Sequence, residues 1–152
     1  MTDSPRREIE IGRLRVRFFV KRKIKRMPTQ PLANAFAPTR VSRPEATAFD
    51  LVRYASCIGG IGRTVETLTP LLSLMRVSEL KRMLEVENEP AIAQRLGYIV
   101  ETLGNEKLAE TIHDWLPPRL VLVPLAPAKA DRTTAPVAER WRVLNNSGEL
   151  GL

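Results

Sequence analysis

Glycines and prolines divide the middle of this chain into segments whose apolar residues recur at the spacing of amphipathic helices. Five helices are predicted, beginning at or near Ser42, Ile61, Ser78, Pro90 and Glu106. The first is expected to end near Ala55, while Gly104 and the pair Pro117-Pro118 end the last two. Pro70 lies inside the second segment and predicts a kink there, or a division into two short helices.

Polar residues at the predicted helix starts indicate how those helices begin. Ser42 and Glu45 have the spacing of a capping box, with Pro44 in the first turn, where a missing N–H is tolerated. Ser78 is predicted to cap the third helix in the same way. The acids near the end of that helix are expected to be solvated: Glu85, Glu87 and Glu89.

Short alternating segments flank the helices and predict strands. A half-buried strand with its aliphatic face turned inward is indicated by Leu14, Val16, Phe18 and Val20. Gly12 is expected to turn residues 8–11 into a hairpin with that strand, and residues 119–123 and 140–144 predict a buried strand and a second short one. Strands, helices and strands in this order indicate an α+β fold, in which a small, mostly antiparallel sheet packs against a cluster of about five helices.

The surplus of positive charge in the chain is confined to its first third. Residues 1–44 contain twelve lysines and arginines against three acids, a surplus of nine, whereas the whole chain has a net charge of +7. No acid lies between Glu10 and Glu45. Because unpaired cations repel one another, such a block is expected to face solvent or an anionic partner.

The candidate binding residues lie within this basic block. On a strand, Arg13, Arg15 and Arg17 form a row about 13 Å long, which is enough to follow several phosphates. A second group extends the row: Lys21, Arg22, Lys23, Lys25 and Arg26. Three interpretations stay open, namely a solvated face without a ligand, a surface for nucleic acid, and a surface for an acidic protein. Contacts of this kind give affinity and salt dependence but no base specificity.

The sequence offers little for catalysis or cofactor binding. His113 is the single histidine and Cys57 the single cysteine, which we interpret as structural and packing residues. Gly59-Gly60-Ile61-Gly62 lacks the lysine of a phosphate-binding loop and is predicted to be a helix–helix turn. We therefore expect no catalytic residues, no cofactor, no metal site and no enzyme. Without a signal peptide or membrane-spanning run, we expect a cytoplasmic protein that does not contact a membrane.

Seven short stretches carry a family resemblance: residues 12–19 (GRLRVRFF), 41–54 (VSRPEATAFDLVRY), 59–61 (GGI), 94–98 (QRLGY), 103–104 (LG), 123–125 (VPL) and 140–145 (RWRVLN). Together they resemble the AbiE-type family of antitoxins and transcriptional regulators, which are paired in bacteria with nucleotidyltransferase-like toxins. The resemblance assigns residues 12–146 to an antitoxin C-terminal-like domain, with residues 1–11 as a flexible segment or partial strand and 147–152 as a tail.

The resemblance implies a non-enzymatic component of a toxin–antitoxin module in phage defence. Such a protein would neutralise its toxin, assist repression through DNA-backbone contacts of its basic face, or do both. The winged-helix domain that usually precedes this domain is expected to be absent, because no such segment precedes Gly12. The alternative function is a protein-interaction module whose basic face binds an acidic partner without binding DNA. The oligomeric state is left open.

Overall fold

Five α-helices and three small sheets confirm the α+β class in the computed structural model, which describes residues 1–21, 23–33, 37–129 and 134–148. The helices are α1 (Pro44–Arg53), α2 (Gly60–Leu72), α3 (Val77–Glu87), α4 (Pro90–Thr102) and α5 (Glu106–Trp115), with short 3-10 helices at Ile24–Arg26 and Ala55–Cys57. No helix in the described ranges is both long enough and apolar enough to cross a membrane.

The core lies among the five helices and is built mainly from aliphatic side chains. Helix α4 packs on α5 and on α1, α3 packs on α5, and α1 packs on α2. Each helix contributes at least one fully buried apolar side chain: Phe49, Leu68, Leu84, Leu96 and Ile112. The core therefore lies among the helices that the periodicity in the sequence predicts.

The helix starts differ from the capping prediction. Ser42 belongs to a short strand, Arg40–Ser42, and α1 begins after Arg43 without a side-chain cap. The buried Glu45 carboxylate instead accepts a hydrogen bond of 2.7 Å from the backbone N–H of Arg76, at the start of α3. Ser78 lies inside α3 rather than at its cap. The predicted capping box of α1 is thus wrong, because the Glu45 carboxylate is bound to the amide of Arg76, the residue before α3, and not to the start of its own helix.

Helix α2 continues through Pro70 as one helix, so the predicted division into two does not occur. Pro70 lies two residues before the end of the helix. The carbonyl that loses its partner belongs to Glu66, which is exposed, so water can satisfy that group.

The strands form three separate sheets rather than one. Strands β1 (Ile9–Ile11) and β2 (Leu14–Val16) make an antiparallel hairpin, β3 (Thr29–Pro31) pairs antiparallel with β4 (Arg40–Ser42), and β5 (Val123–Pro124), β7 (Val143–Leu144) and β6 (Val137–Ala138) form the third sheet in that order. Gly12 adopts φ +59° and makes the predicted hairpin turn. The buried strand predicted over residues 119–123 is wrong, since Val121 is 75% exposed and pairing begins only at Val123.

The third sheet is attached to α4 by a tryptophan that fits over a glycine. Trp141 is fully buried, and its Nε1 donates to Glu101 of α4 at 2.6 Å. A Cβ atom on Gly97 would lie 2.0 Å from the Trp141 ring, which is far inside van der Waals contact. Gln94 adds a hydrogen bond of 2.7 Å from its side-chain amide to the Trp141 carbonyl. Gly97 is therefore required by the close approach of the ring.

Replacing Gly97 with alanine tests this contact. Alanine is the better helix former by about 1 kcal/mol, but the displaced indole should reverse that gain. We expect G97A to lower the free energy of unfolding by at least about 2 kcal/mol in urea denaturation. In a Trp141→Leu background the ring is gone and the added methyl group should cost little. Equal costs of G97A in both backgrounds would contradict the proposed contact.

Candidate anion-contacting surface

The β1–β2 hairpin separates its side chains into a charged face and an apolar face. Its register pairs Ile9 with Val16, Glu10 with Arg15 and Ile11 with Leu14. Directly paired residues lie on the same side of a two-stranded sheet. The hairpin is therefore amphipathic, as the alternation in the sequence predicts.

The charged face carries its own counter-ions. Arg15 lies 2.9 Å from a carboxylate oxygen of Glu8 and 2.8 Å from one of Glu10, and Arg17 lies 3.5 Å from Glu8. These side chains are solvent-exposed, so the ion pairs are weak and screened by salt. Arg15 and Arg17 are therefore held only weakly by these carboxylates.

The apolar face of the hairpin is turned to solvent. Ile9, Ile11 and Leu14 are 46%, 67% and 59% exposed. The prediction that the aliphatic residues of this strand anchor it to the core is therefore wrong. Alternation shows which side chains share a face, but it does not show which face is turned toward the protein.

The chain after the hairpin is fixed to α1 by an aromatic contact. The rings of Phe19 and Tyr54 lie 4.6 Å apart between centroids, and the Tyr54 hydroxyl donates to the Val20 carbonyl at 3.0 Å. Thr2 runs beside this segment and pairs with it through two backbone hydrogen bonds. Together these contacts direct the side chain of Lys21 into the protein.

Lys21 lies in a buried ion cluster rather than on the surface. Its side chain is 4% exposed, and Nζ lies 2.6 Å from a carboxylate oxygen of Asp50 and 2.6 Å from one of Glu87. Arg53 lies 2.9 Å from Asp50 and 2.5 Å from the other oxygen of Glu87, and also pairs with the more exposed Glu89. The predictions that Lys21 faces outward and that Glu87 is solvated are both wrong.

The two buried carboxylates respond differently to their surroundings. Burial raises the pKa of Asp50 above its ordinary value although Lys21 and Arg53 favour its charged form. For Glu87, burial acts in the same direction, but hydrogen bonds from Arg53 and Lys21 outweigh it and lower the pKa. Glu87 is therefore the carboxylate whose ionised form the cluster stabilises most clearly.

Lys23 also has a structural role. Its Nζ donates to the carbonyls of Val86 and Glu87 at 3.0 and 2.6 Å. These carbonyls belong to the last turn of α3, where a helix leaves acceptors unpaired and its dipole favours a cation. Lys23 thus stabilises the end of α3 and is only partly available to a ligand.

Three of the predicted binding residues remain exposed and without a partner within the described part of the chain: Arg13, Lys25 and Arg26. Arg13 lies in the hairpin turn, and Lys25 and Arg26 lie in the 3-10 helix, beside a groove of about 480 Å³. Arg6 and Arg7 are likewise exposed and have no partner among the described residues. Arg22 lies outside the described residues. The structure thus divides the basic block into buried, paired and free cations.

Sequence reasoning missed Asp50, Arg53 and the burial of Glu87. A signal was present, because Ala46, Asp50 and Arg53 recur at helical spacing on one side of α1, and opposite charges on a core-facing stripe indicate an internal ion pair.

Two further polar groups lie outside the basic block. Cys57 is exposed, so the packing role assigned to it is wrong. Ligand atoms of Glu110, His113 and Asp114 lie within 4.8 Å of one another, while Glu110 pairs with Arg140 and His113 packs edge-on against Trp141.

The comparisons with known proteins give one finding. A family model of the AbiEi antitoxin C-terminal domain matches residues 1–102. This match contains the hairpin, the ion cluster and helices α1 to α4. No curated protein and no solved structure matches the chain.

Glu87→Gln tests the ion cluster. Removing this charge leaves Lys21 and Arg53 partly uncompensated, and we expect a loss of about 3 kcal/mol in the free energy of unfolding near pH 7. Because the folded-state pKa of Glu87 is lowered from 4.5, its contribution is complete above that value and disappears as the pH falls below it. The difference between wild type and E87Q in urea denaturation should therefore shrink on acidification.

The matched control is Glu66→Gln, which removes an exposed carboxylate paired with Arg63. Its cost should stay within about 0.5 kcal/mol at any pH. A cost of E87Q that does not change with pH would contradict the assignment.

Proposed function

Because the chain belongs to the family of AbiEi antitoxin C-terminal domains, we propose that it is a non-enzymatic antitoxin that neutralises a nucleotidyltransferase-like toxin in a bacterial phage-defence module. The observation that carries the proposal is the family match over two-thirds of the chain. Its proposed location is the cytoplasm, where toxin and DNA are both found. The buried ion cluster, whose charges are matched within the fold, is assigned to stability rather than to ligand binding.

We also propose that the free cations contact the DNA backbone and so assist repression. Arg13, Lys25 and Arg26 are exposed and uncompensated within the described residues, which leaves their charges available to phosphates. Arg15 and Arg17 join them by exchanging weak surface ion pairs. Side chains of this kind give affinity without base specificity.

A second candidate function is protein binding without DNA. It is supported by the solvent-facing apolar side of the hairpin, because large exposed apolar side chains grouped on one face are typical of interaction sites. Nucleic-acid backbones do not require such a face.

The triple variant Arg13→Gln, Lys25→Gln and Arg26→Gln tests DNA binding. Duplex DNA of unrelated sequence should bind the wild type at low salt and be released steeply as salt rises. We expect the variant to lose affinity and to reduce the slope of log K against log salt by about one unit for each phosphate contact removed. Fluorescence anisotropy at several salt concentrations measures both quantities.

A control with the same change of charge is Lys81→Gln, Lys107→Gln and Arg119→Gln, at exposed positions outside the basic block. It should leave the salt slope nearly unchanged. Equal losses in the two triple variants would show attraction by net charge alone, and no binding by the wild type at about 50 mM salt would reject DNA contact.

Neutralisation is tested by growth. Cells that express a nucleotidyltransferase-like toxin of the proposed module should stop growing, and co-expression of the chain should restore growth. The E87Q variant should restore growth less well because less of it is folded at the growth temperature. Failure of the wild-type chain to restore growth, when it is folded and abundant in the cell, would reject the antitoxin function.

A further inference from the structure

We propose that Lys21 is a positioning residue for DNA contact, because its buried ion cluster holds Arg13 on one side of it and Lys25 and Arg26 on the other in one fixed arrangement. This inference rests on the proposed contact between these cations and the DNA backbone, and extends it to a residue that touches no phosphate itself. The side chain of Lys21 is 4% exposed, so it does not reach a ligand from its place in the fold.

The cations that Lys21 separates belong to different elements of the structure. Arg13 lies in the turn of the β1–β2 hairpin, whereas Lys25 and Arg26 lie in the 3-10 helix. Within the described residues, β1 and β2 make extensive contact only with each other. Arg13 precedes Lys25 by twelve positions, and an extended chain of that length reaches about 40 Å. Without a further constraint, the distance between these cations would vary over much of that range.

Lys21 supplies a constraint at the junction between them. Its Nζ lies 2.6 Å from a carboxylate oxygen of Asp50 in α1 and 2.6 Å from one of Glu87 at the end of α3. Both carboxylates also pair with Arg53, which fixes their positions in turn. An ammonium group removed from water is stable only where its acceptors meet it. The Lys21 side chain is therefore fixed in one place.

Backbone hydrogen bonds extend this fixed position in both directions along the chain. The Lys21 carbonyl accepts from the Ile24 N–H at 3.1 Å, at the start of the 3-10 helix. The Lys21 N–H donates to the Thr2 carbonyl at 2.8 Å, and the Thr2 N–H donates to the Phe19 carbonyl at 2.9 Å. Displacing Lys21 would therefore loosen both the segment that leads back to the hairpin and the helix that carries Lys25.

Cations in a fixed arrangement bind a stiff polyanion more tightly than the same cations on a mobile chain. Ordering a mobile segment on binding costs free energy, which lowers the affinity. The salt dependence is set by the number of phosphates that are neutralised, and the mobility of the free chain does not change that number. Loss of the ion cluster should therefore lower the affinity for DNA and leave its salt dependence unchanged.

The first experiment compares two variants that make the same change of charge. Glu87→Gln removes a carboxylate from the ion cluster, and Glu66→Gln removes an exposed carboxylate that pairs with Arg63. Each variant makes the chain more positive by one charge, so attraction by net charge alone predicts equal or tighter DNA binding by both. We expect E87Q instead to weaken binding of duplex DNA of unrelated sequence about tenfold in fluorescence anisotropy, with an unchanged salt slope. E66Q should bind at least as tightly as the wild type.

Affinity is expressed per folded molecule, with the folded fraction measured by circular dichroism, so that reduced stability alone does not produce the expected loss. Asp50→Asn is the second variant should E87Q not fold, because it removes the charge of one acceptor of Lys21 and leaves the other. Wild-type affinity in E87Q, or in D50N where it takes the place of E87Q, would overturn the proposal. A Lys21→Met variant with a lower salt slope would overturn it as well, since Lys21 would then contact a phosphate itself.

A second measurement needs no DNA. Spin labels at positions 14 and 25, in a chain with Cys57→Ser, report the distance between the hairpin and the 3-10 helix. Both positions are exposed, and Cys57 is the single cysteine of the chain. We expect double electron–electron resonance to give a narrow distance distribution for the labelled chain and for its E66Q variant, and a broad one for its E87Q variant. A distribution that E87Q leaves unchanged would overturn the proposal.

The outcomes separate this inference from the proposed function. DNA binding by the wild type that E87Q leaves unchanged rejects the positioning role and retains the DNA contact. No DNA binding by the wild type at about 50 mM salt rejects the DNA contact and the positioning role together. The antitoxin function is then decided by the growth assay alone.

Discussion

The buried ion cluster determines how the first third of this chain is arranged on the rest. Lys21 enters the protein between α1 and the end of α3, where it contacts Asp50 and Glu87 together. Removing these charges from water is expensive, so the arrangement is stable only because Arg53 completes the pairing and the carboxylates are satisfied on both sides. An ammonium group with two buried acceptors fixes the position of its backbone more closely than an apolar contact would. Lys21 thus joins a segment with few apolar anchors to a helical core that is complete without it.

The attachment at Lys21 separates the basic residues that have a structural role from those that stay exposed. The chain on one side of Lys21 is fixed by Phe19 against Tyr54, and on the other side Lys23 closes the end of α3. The cations nearest the cluster are thereby used in the fold, whereas those at the hairpin turn and in the 3-10 helix remain outside. The hairpin, which precedes the attachment point, is free to present its apolar side to solvent. The segment that the sequence predicts to form one basic surface therefore forms two surfaces, one apolar and one cationic.

Local patterns account for the parts of the fold that could be predicted from the sequence. Helical periodicity locates the five helices, and Gly12 and Gly104 mark a turn and a helix end because both need a positive φ. The failures that concern the candidate site involve partners distant in sequence or the choice of the face that is turned inward. Glu45 caps another helix, Glu87 meets Lys21, and strand alternation is equally compatible with either face turned inward. No spacing rule contains that information, although the opposite charges on the core-facing side of α1 indicated that an internal pair was possible. For the candidate site, the sequence therefore predicts where the basic block lies. It does not predict which of its cations are buried, which are paired and which are exposed.

The structure continues without a boundary past the end of the family match. The match ends at residue 102, yet the following sheet is held by residues inside it. Gly97 provides the space for the Trp141 ring, and Arg95 donates to the Pro124 carbonyl at 2.8 Å. Gln94 donates to the carbonyls of Val121 and Trp141, which precede strands β5 and β7. Arg95 is half-buried, and burial lowers the pKa of its guanidinium group. If the chain ended at residue 102, a buried amide and a partly buried cation on α4 would lose their acceptors. Helix α4 is therefore shared between the two parts, and residues 123–144 belong to the same folded unit as the helices that the family match covers.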